Sequence, residues 1–247
     1  IGLGLMRVRR RVVPPSGTAV EEIIEGFRFV RETQPIRALL LLIGVVSLTA
    51  MPYAVLMPIF ADRILHSGAK GLGYLMGASG VGALGGALTL AARTGVSGLG
   101  NWVMVATGGV GASLIAFGFS RSLWLSAALL LPVGFCMMLQ MSSSNTLIQS
   151  MVPDRLRGRV MSVYSMMFMG MAPIGSLLAG WVAERTTAPA AVIFGGVVAM
   201  IGAIAFGFRL PRLRIQGREL IIAQGLAGGD PAQELNPRAV PEEAEDA

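Results

Sequence analysis

Charge is scarce in this sequence, and where it is missing says more than how much is missing. Asp, Glu, Lys and Arg make up 14% of the 247 residues, against roughly 25% in an ordinary soluble domain. Six stretches, 38–60, 71–92, 101–119, 122–141, 160–182 and 189–208, contain no charged residue at all. They total 127 residues, and at the chain average of 14% they would hold about 18 charges. Each is 19 to 23 residues long, and a helix needs about 20 to cross a hydrocarbon core roughly 30 Å thick. Mean hydropathy is +0.66. A soluble fold is excluded; an all-α, polytopic bundle of six transmembrane helices is expected.

Cysteine and histidine are nearly absent. The single cysteine, Cys136, falls inside the fourth stretch, which excludes a disulfide framework and a cysteine metal site. The single histidine, His66, sits with Asp62 in a polar loop and reads as solvated, so no metal is expected. The six stretches contain no His, Asp, Glu or Lys. An intramembrane hydrolase needs a base beside its nucleophile, so no catalytic residue, no enzyme activity and no cofactor is expected. The net charge of +6 and a pI near 10.6 do not imply nucleic acid, because the basic residues gather at the ends of the apolar stretches and not on one soluble face.

Those ends set the orientation. With six crossings, both termini share a side with the second and fourth connections. That side carries sixteen arginines; the other carries Arg63, Lys70, Arg121 and Arg185. Counting only positions within about 20 residues of a span leaves eleven against four, and the positive side faces the cytoplasm. Both termini of the chain are therefore expected in the cytoplasm, with the protein multi-pass in the cell membrane.

The first residues, Ile1 to Met6, precede the cluster Arg7-Val8-Arg9-Arg10-Arg11. Charge after the apolar run is the wrong order for a signal peptide. The segment reads as the end of an earlier membrane helix, and the chain as a piece lacking its N-terminal part. Thr18 and Glu21 form a capping box, and Val20, Ile23, Ile24, Phe27 and Val30 recur at helical spacing up to Pro35. Residues 1–37 are thus expected to be a helix end plus a cytoplasmic loop with an amphipathic helix, 38–208 the bundle, and 209–247 a largely disordered cytoplasmic tail, punctuated by glycine and proline and rich in acids.

Several motifs invite two readings. Gly80-Val81-Gly82-Ala83-Leu84-Gly85 matches the dinucleotide fingerprint, but that needs a preceding strand and an acid about 20 residues on. The pairs Gly73/Gly77 and Gly82/Gly86 are instead spaced for close helix packing in lipid. Gly170, Pro173 and Gly175 mark the fifth span as one that bends and packs closely. The loop after the fourth span runs from Ser142 to a turn, Asp154-Arg155-Leu156-Arg157-Gly158-Arg159. One acid and three guanidinium groups there read as a latch between helix ends, with Asp154 favoured at a helix N-terminus.

The Asp154–Arg159 turn resembles the charged intracellular loop of major facilitator superfamily transporters, in the copy between their tenth and eleventh helices. Met51-Pro52-Tyr53-Ala54-Val55-Leu56-Met57-Pro58, with the glycine-rich stretch from Gly71, is similar to helices seven and eight of the branch containing enterobactin exporters and transmembrane secretion effectors. Glu22 to Arg37 resembles that branch's central loop. The likeness covers residues 1 to about 215 and implies the C-terminal half of a twelve-helix fold, whose missing N-terminal six-helix half would be its partner. The chain departs from the pattern at Ala91-Ala92-Arg93-Thr94-Gly95, which keeps one arginine and lacks the family's aspartate. The gating motif in this half then falls on Asp154, Arg155, Arg157, Gly158 and Arg159.

The resemblance implies a bacterial secondary transporter, exporting a small apolar or amphipathic molecule by rocking of two bundles. By the same analogy the first and fourth spans line the cavity, with Thr49, Tyr53 and Met57 facing Phe135, Met138 and Gln140. A proton relay needs an ionisable group in the membrane, and these spans offer none. The rival readings are a self-sufficient six-helix channel or permease subunit that oligomerises, and a non-transporting membrane scaffold.

Overall fold

The computed structural model describes residues 19–93 and 95–228. The expected helix end at Ile1–Met6, the Thr18 capping box and the tail from 229 lie outside them. The described residues form nine α-helices: α1 (Ala19–Glu32), α2 (Gln34–Thr49), α3 (Tyr53–Ile59), α4 (Gly68–Ala91), α5 (Leu99–Phe119), α6 (Leu123–Met151), α7 (Asp154–Ser165), α8 (Met171–Arg185) and α9 (Ala188–Gly228). Wider π-helical turns follow α3 at Phe60–Ile64 and join α7 to α8 at Met166–Gly170. No strand occurs among the described residues.

Six helical segments are long and apolar enough to span a membrane: Gln34–Ile64, Gly68–Ala91, Leu99–Phe119, Leu123–Met151, Asp154–Arg185 and Ala188–Gln224. All six expected spans are present in a multi-pass, all-helical fold. Two are broken. In the first, Pro52 supplies no N–H and the chain relaxes into a wide turn in which Met51 N–H bonds to Val46 O, so α2 and α3 are separate pieces. In the fifth, a π turn at Met166–Gly170 leads into α8 just before Pro173, which supplies no N–H to the helical ladder.

Packing runs α4 on α6, α5 on both α6 and α9, α2 on α8 and α9, and α1 on α7. Two apolar clusters divide the interior. One, around Ile36, Leu39, Ile148 and Val160, joins the end that bears α1. The other, around Phe60, Leu75, Leu114 and Leu130, fills the opposite end, with the Phe60 and Phe117 rings stacked at 4.5 Å. Large apolar side chains such as Leu88, Val105 and Leu177 are exposed, the surface a bilayer-embedded helix presents to acyl chains. Coverage is uneven: 56% of the apolar window is buried in the first span, against 17% in the second and 6% in the fifth. The second and fifth spans keep a whole face unpartnered among the described residues.

Three expectations are corrected. The stretch from Ser142 to Met151 is not a loop: α6 continues through it. No Gly or Pro interrupts it, and Thr146 and Ser150 hydroxyls donate to the carbonyls of Ser142 and Leu147, which lets polar side chains ride inside a helix. The Asp154–Arg159 motif is not a turn but the first turns of α7; the turn lies at Val152–Pro153, with extended ψ of 144° at Pro153. Residues 209–228 are not a disordered tail. α9 carries on to Gly228, 41 residues in all, about 61 Å at 1.5 Å per residue. Leu210, Leu213 and Gly217 form a buried stripe on it at i, i+3 and i+7, packing on the α6 end near Met151.

Candidate functional site: a mid-depth cavity and a charged helix junction

The α4–α6 crossing shapes the centre of the bundle. A Cβ on Gly82 would stand 2.0 Å from the Leu131 carbonyl oxygen, and one on Gly134 would stand 1.9 Å from that of Ser79. Gly86 meets the Phe135 carbonyl at 2.6 Å in the same way. The backbones touch because both sides lack a side chain there. The expected packing role therefore falls on Gly82 and Gly86, whereas Gly73 and Gly77 meet nothing within 4 Å: each stands nine residues, two and a half turns, before its counterpart and so lies on the side of α4 away from α6. In the fifth span Gly175 abuts the Leu48 carbonyl of α2 at 2.3 Å, while Gly170 is close only to Met166 of its own turn.

Beside this crossing lies a cavity of about 200 Å³ between α2, α3, α4, α6 and the Met166–Gly170 turn. Its walls are largely apolar: Ile43, Val46, Met51, Ala83, Met137, Met138, Met141 and Phe168. Four polar side chains interrupt them. The Tyr53 hydroxyl and Ser79 Oγ share a hydrogen bond of 2.9 Å. Ser47 and Gln140 are the others, both almost fully buried. No Asp, Glu, Lys, Arg or His lines it. Larger clefts open at the two ends of the bundle, about 810 Å³ along α9 at the α1 end and about 650 Å³ at the opposite end near Arg63, Arg121 and Glu184. Polar side chains from three spans converge on the mid-depth cavity: Ser47 and Tyr53 from the first, Ser79 from the second and Gln140 from the fourth.

Of the six cavity residues expected from the sequence, Tyr53, Met138 and Gln140 line it. Three do not. Thr49 donates to the Val45 carbonyl and its backbone abuts Gly195 of α9; Met57 is buried in the opposite-end cluster; Phe135 packs against the glycine face of α4. The spacing i, i+4, i+8 through Thr49, Tyr53 and Met57 assumes one unbroken helix, and the break at Pro52 rotates α3 relative to α2. Ser47 and Ser79 went unnoticed because single serines in glycine-rich apolar helices carry no distinctive signal. Ser143 and Ser144, one turn beyond Gln140, are fully buried and their hydroxyls have no partner among the described residues; they were hidden by the reading of that stretch as a loop. Among the described residues no cluster of three His, Cys, Asp or Glu is placed to hold a metal ion.

The charged motif sits at the α1 end. Asp154 lies in the first turn of α7, where its carboxylate opposes the positive end of the helix dipole. It pairs with Arg157 at 2.7 Å, three residues on and well exposed, so this pair is internal to α7. Arg155 and Gly158 are exposed, with nothing within 4 Å of a Cβ at Gly158. Arg159 reaches further: it is paired with Glu25 of α1, and its side chain is only 17% exposed. Gly26 allows the approach, since its Cβ would lie 3.1 Å from the Arg159 carbonyl oxygen. The junction is sealed beneath by Val30, Leu156 and Val160. The link between elements thus runs from Arg159 to the amphipathic helix.

The family model for transmembrane secretion effectors matches residues 4–227. No curated protein matches the chain, and no solved structure does. An all-helical bundle of six spans around a mid-depth cavity, matched over nearly its whole length, belongs to the transmembrane secretion effector family of major facilitator transporters.

Proposed function

We propose that the protein is a secondary active transporter that exports a small apolar or amphipathic molecule by alternating access. The observation that carries this reading is the mid-depth cavity, apolar for most of its wall and without a charged side chain. A compact ion placed there would lose its hydration without a counter-charge, whereas an apolar molecule gains from leaving water. The unpartnered faces of the second and fifth spans support a second six-helix half, N-terminal to these residues, against which this one rocks. Any coupling proton is then carried by that half, because an intramembrane relay needs an ionisable group. In the cell membrane, the charge count supports α1 and the C-terminal end of α9 lying in the cytoplasm.

The α1–α7 junction is the proposed regulator of the motion. The Glu25–Arg159 pair ties the central-loop helix to the span with the least-covered face, and that span carries its own soft joint at Met166–Gly170. With Glu25 about half exposed, solvent screening limits such a pair to about 1 kcal/mol, and a coupling of that size shifts a two-state equilibrium about fivefold.

Counterflow tests the function. Proteoliposomes preloaded with an unlabelled apolar dye should take up labelled dye faster than empty ones, and the uptake should saturate. Flux that neither saturates nor responds to preloading would exclude a carrier and leave the six-helix channel.

A further inference from the structure

We infer that the mid-depth cavity recognises an uncharged hydrogen-bond acceptor, a carbonyl-type oxygen on an otherwise apolar molecule, through the side-chain amide of Gln140. The inference rests on the transport reading above and names the chemistry that the site selects.

Gln140 lines the cavity, is 3% exposed, and its Nε2 has no hydrogen-bond partner among the described residues. A buried amide donor is costly to leave unsatisfied, and buried side-chain donors are nearly always paired. The other polar groups are placed differently. Tyr53 and Ser79 bond to each other, which commits one of their two hydroxyl protons. Among the described residues, Gln140 Nε2 is the buried cavity-lining donor left with no partner at all. Around it, Met137, Met138, Met141 and Phe168 supply soft, adaptable apolar surface. A buried, uncommitted amide donor in such a wall fits an acceptor oxygen flanked by hydrocarbon or an aromatic ring.

Charge and size narrow the class further. The lining carries no Asp, Glu, Lys, Arg or His, so a carboxylate or an ammonium group would enter without a counter-ion. At about 200 Å³ the cavity is smaller than the roughly 300–1,000 Å³ of sites that hold a drug-sized molecule. It therefore takes one end of such a molecule, the end bearing the oxygen.

The test uses a matched pair of fluorescent probes, a dialkylamino-naphthyl ketone and the same naphthalene with the ketone reduced to a methylene. Binding is measured in nanodiscs, and counterflow separately in proteoliposomes. The protein should bind the ketone about tenfold more tightly than its hydrocarbon counterpart, the preference one neutral hydrogen bond confers. Gln140→Met keeps a similar volume without the donor; it should bring the two affinities together by weakening the ketone alone. Equal affinities in the parent, or a preference that survives in Gln140→Met, overturns the assignment. If Gln140→Met is not recovered folded, the emission of the ketone bound to the parent decides: a red-shifted, hydrogen-bonded band supports the assignment and an unshifted apolar band refutes it. Ketone-selective binding without counterflow would sink the transporter reading and leave this one standing, while counterflow without selectivity would do the reverse.

Discussion

Replacing Gly82 by alanine adds one carbon at the tightest part of the bundle. That carbon would sit 2.0 Å from the Leu131 carbonyl oxygen, 2.9 Å from the carbonyl carbon and 3.0 Å from the Phe135 nitrogen. All three are backbone atoms of α6, so no side chain can swing aside. Relief requires α4 and α6 to separate by about 1 Å, which also pulls Gly134 from the Ser79 carbonyl and opens the wall of the cavity. Overpacking of this kind costs ~1–3 kcal/mol. Gly73→Ala is the control, because Gly73 lies in the same helix with the same GxxxG spacing but has nothing within 4 Å. There alanine replaces a poor helix former and should be neutral or stabilising by up to ~1 kcal/mol. The gap between the two variants is then roughly 1–4 kcal/mol. Unfolding in mixed micelles of rising SDS fraction, followed by tryptophan fluorescence, measures it. Gly82→Ala should unfold at a clearly lower fraction and Gly73→Ala at the parent's or higher. Equal midpoints for the two would mean that α4 does not meet α6 at Gly82, and the architecture around the cavity would be wrong.

The α1–α7 junction makes a second expectation: Glu25→Gln should raise amide hydrogen exchange across α1, whereas Asp154→Asn should leave it unchanged, because the exposed Asp154–Arg157 pair is worth less than ~1 kcal/mol. The charge-swapped double variant Glu25→Arg with Arg159→Glu should restore protection, and its failure to do so would remove the pair from the junction. Gly98 has φ of 77°, so Gly98→Ala should lower stability by about 1–2 kcal/mol, read in the same micelle titration against Gly158→Ala, whose site is open. Reporter fusions after Arg218 and in the loop at His66 should signal from opposite compartments; matching signals would contradict the odd number of crossings, five, that the six spans place between the two sites.

The distribution of charge along the chain was enough to determine the membrane, the number of spans and the helical class. Burying backbone polar groups in hydrocarbon leaves helices as the form available to uncharged runs of about 20 residues, and that argument needs no knowledge of neighbours. The Gln140 and Tyr53 positions were legible for a related reason, since a polar side chain in such a run stands out. Other features depended on which helix meets which. Gly73, Gly77, Gly82 and Gly86 are alike in spacing, yet only the last two touch α6, because two and a half helical turns separate the pairs and put them on opposite sides of α4. Thr49 and Met57 left the cavity because Pro52 breaks the first span and turns its second piece. The Ser143–Ser144 face looked like a loop until α6 was seen to run through it, and Leu210, Leu213 and Gly217 looked like part of a tail until the α6 end was found beneath them. Arg159 is one of three arginines within five residues, and its partnership with Glu25, 134 positions away, exists only because Gly26 lets α1 lie against α7. Composition and local pattern act through the solvent each segment needs, whereas the cavity, the ion pair and the close crossings are properties of pairs of segments, which the tertiary fold alone brings together.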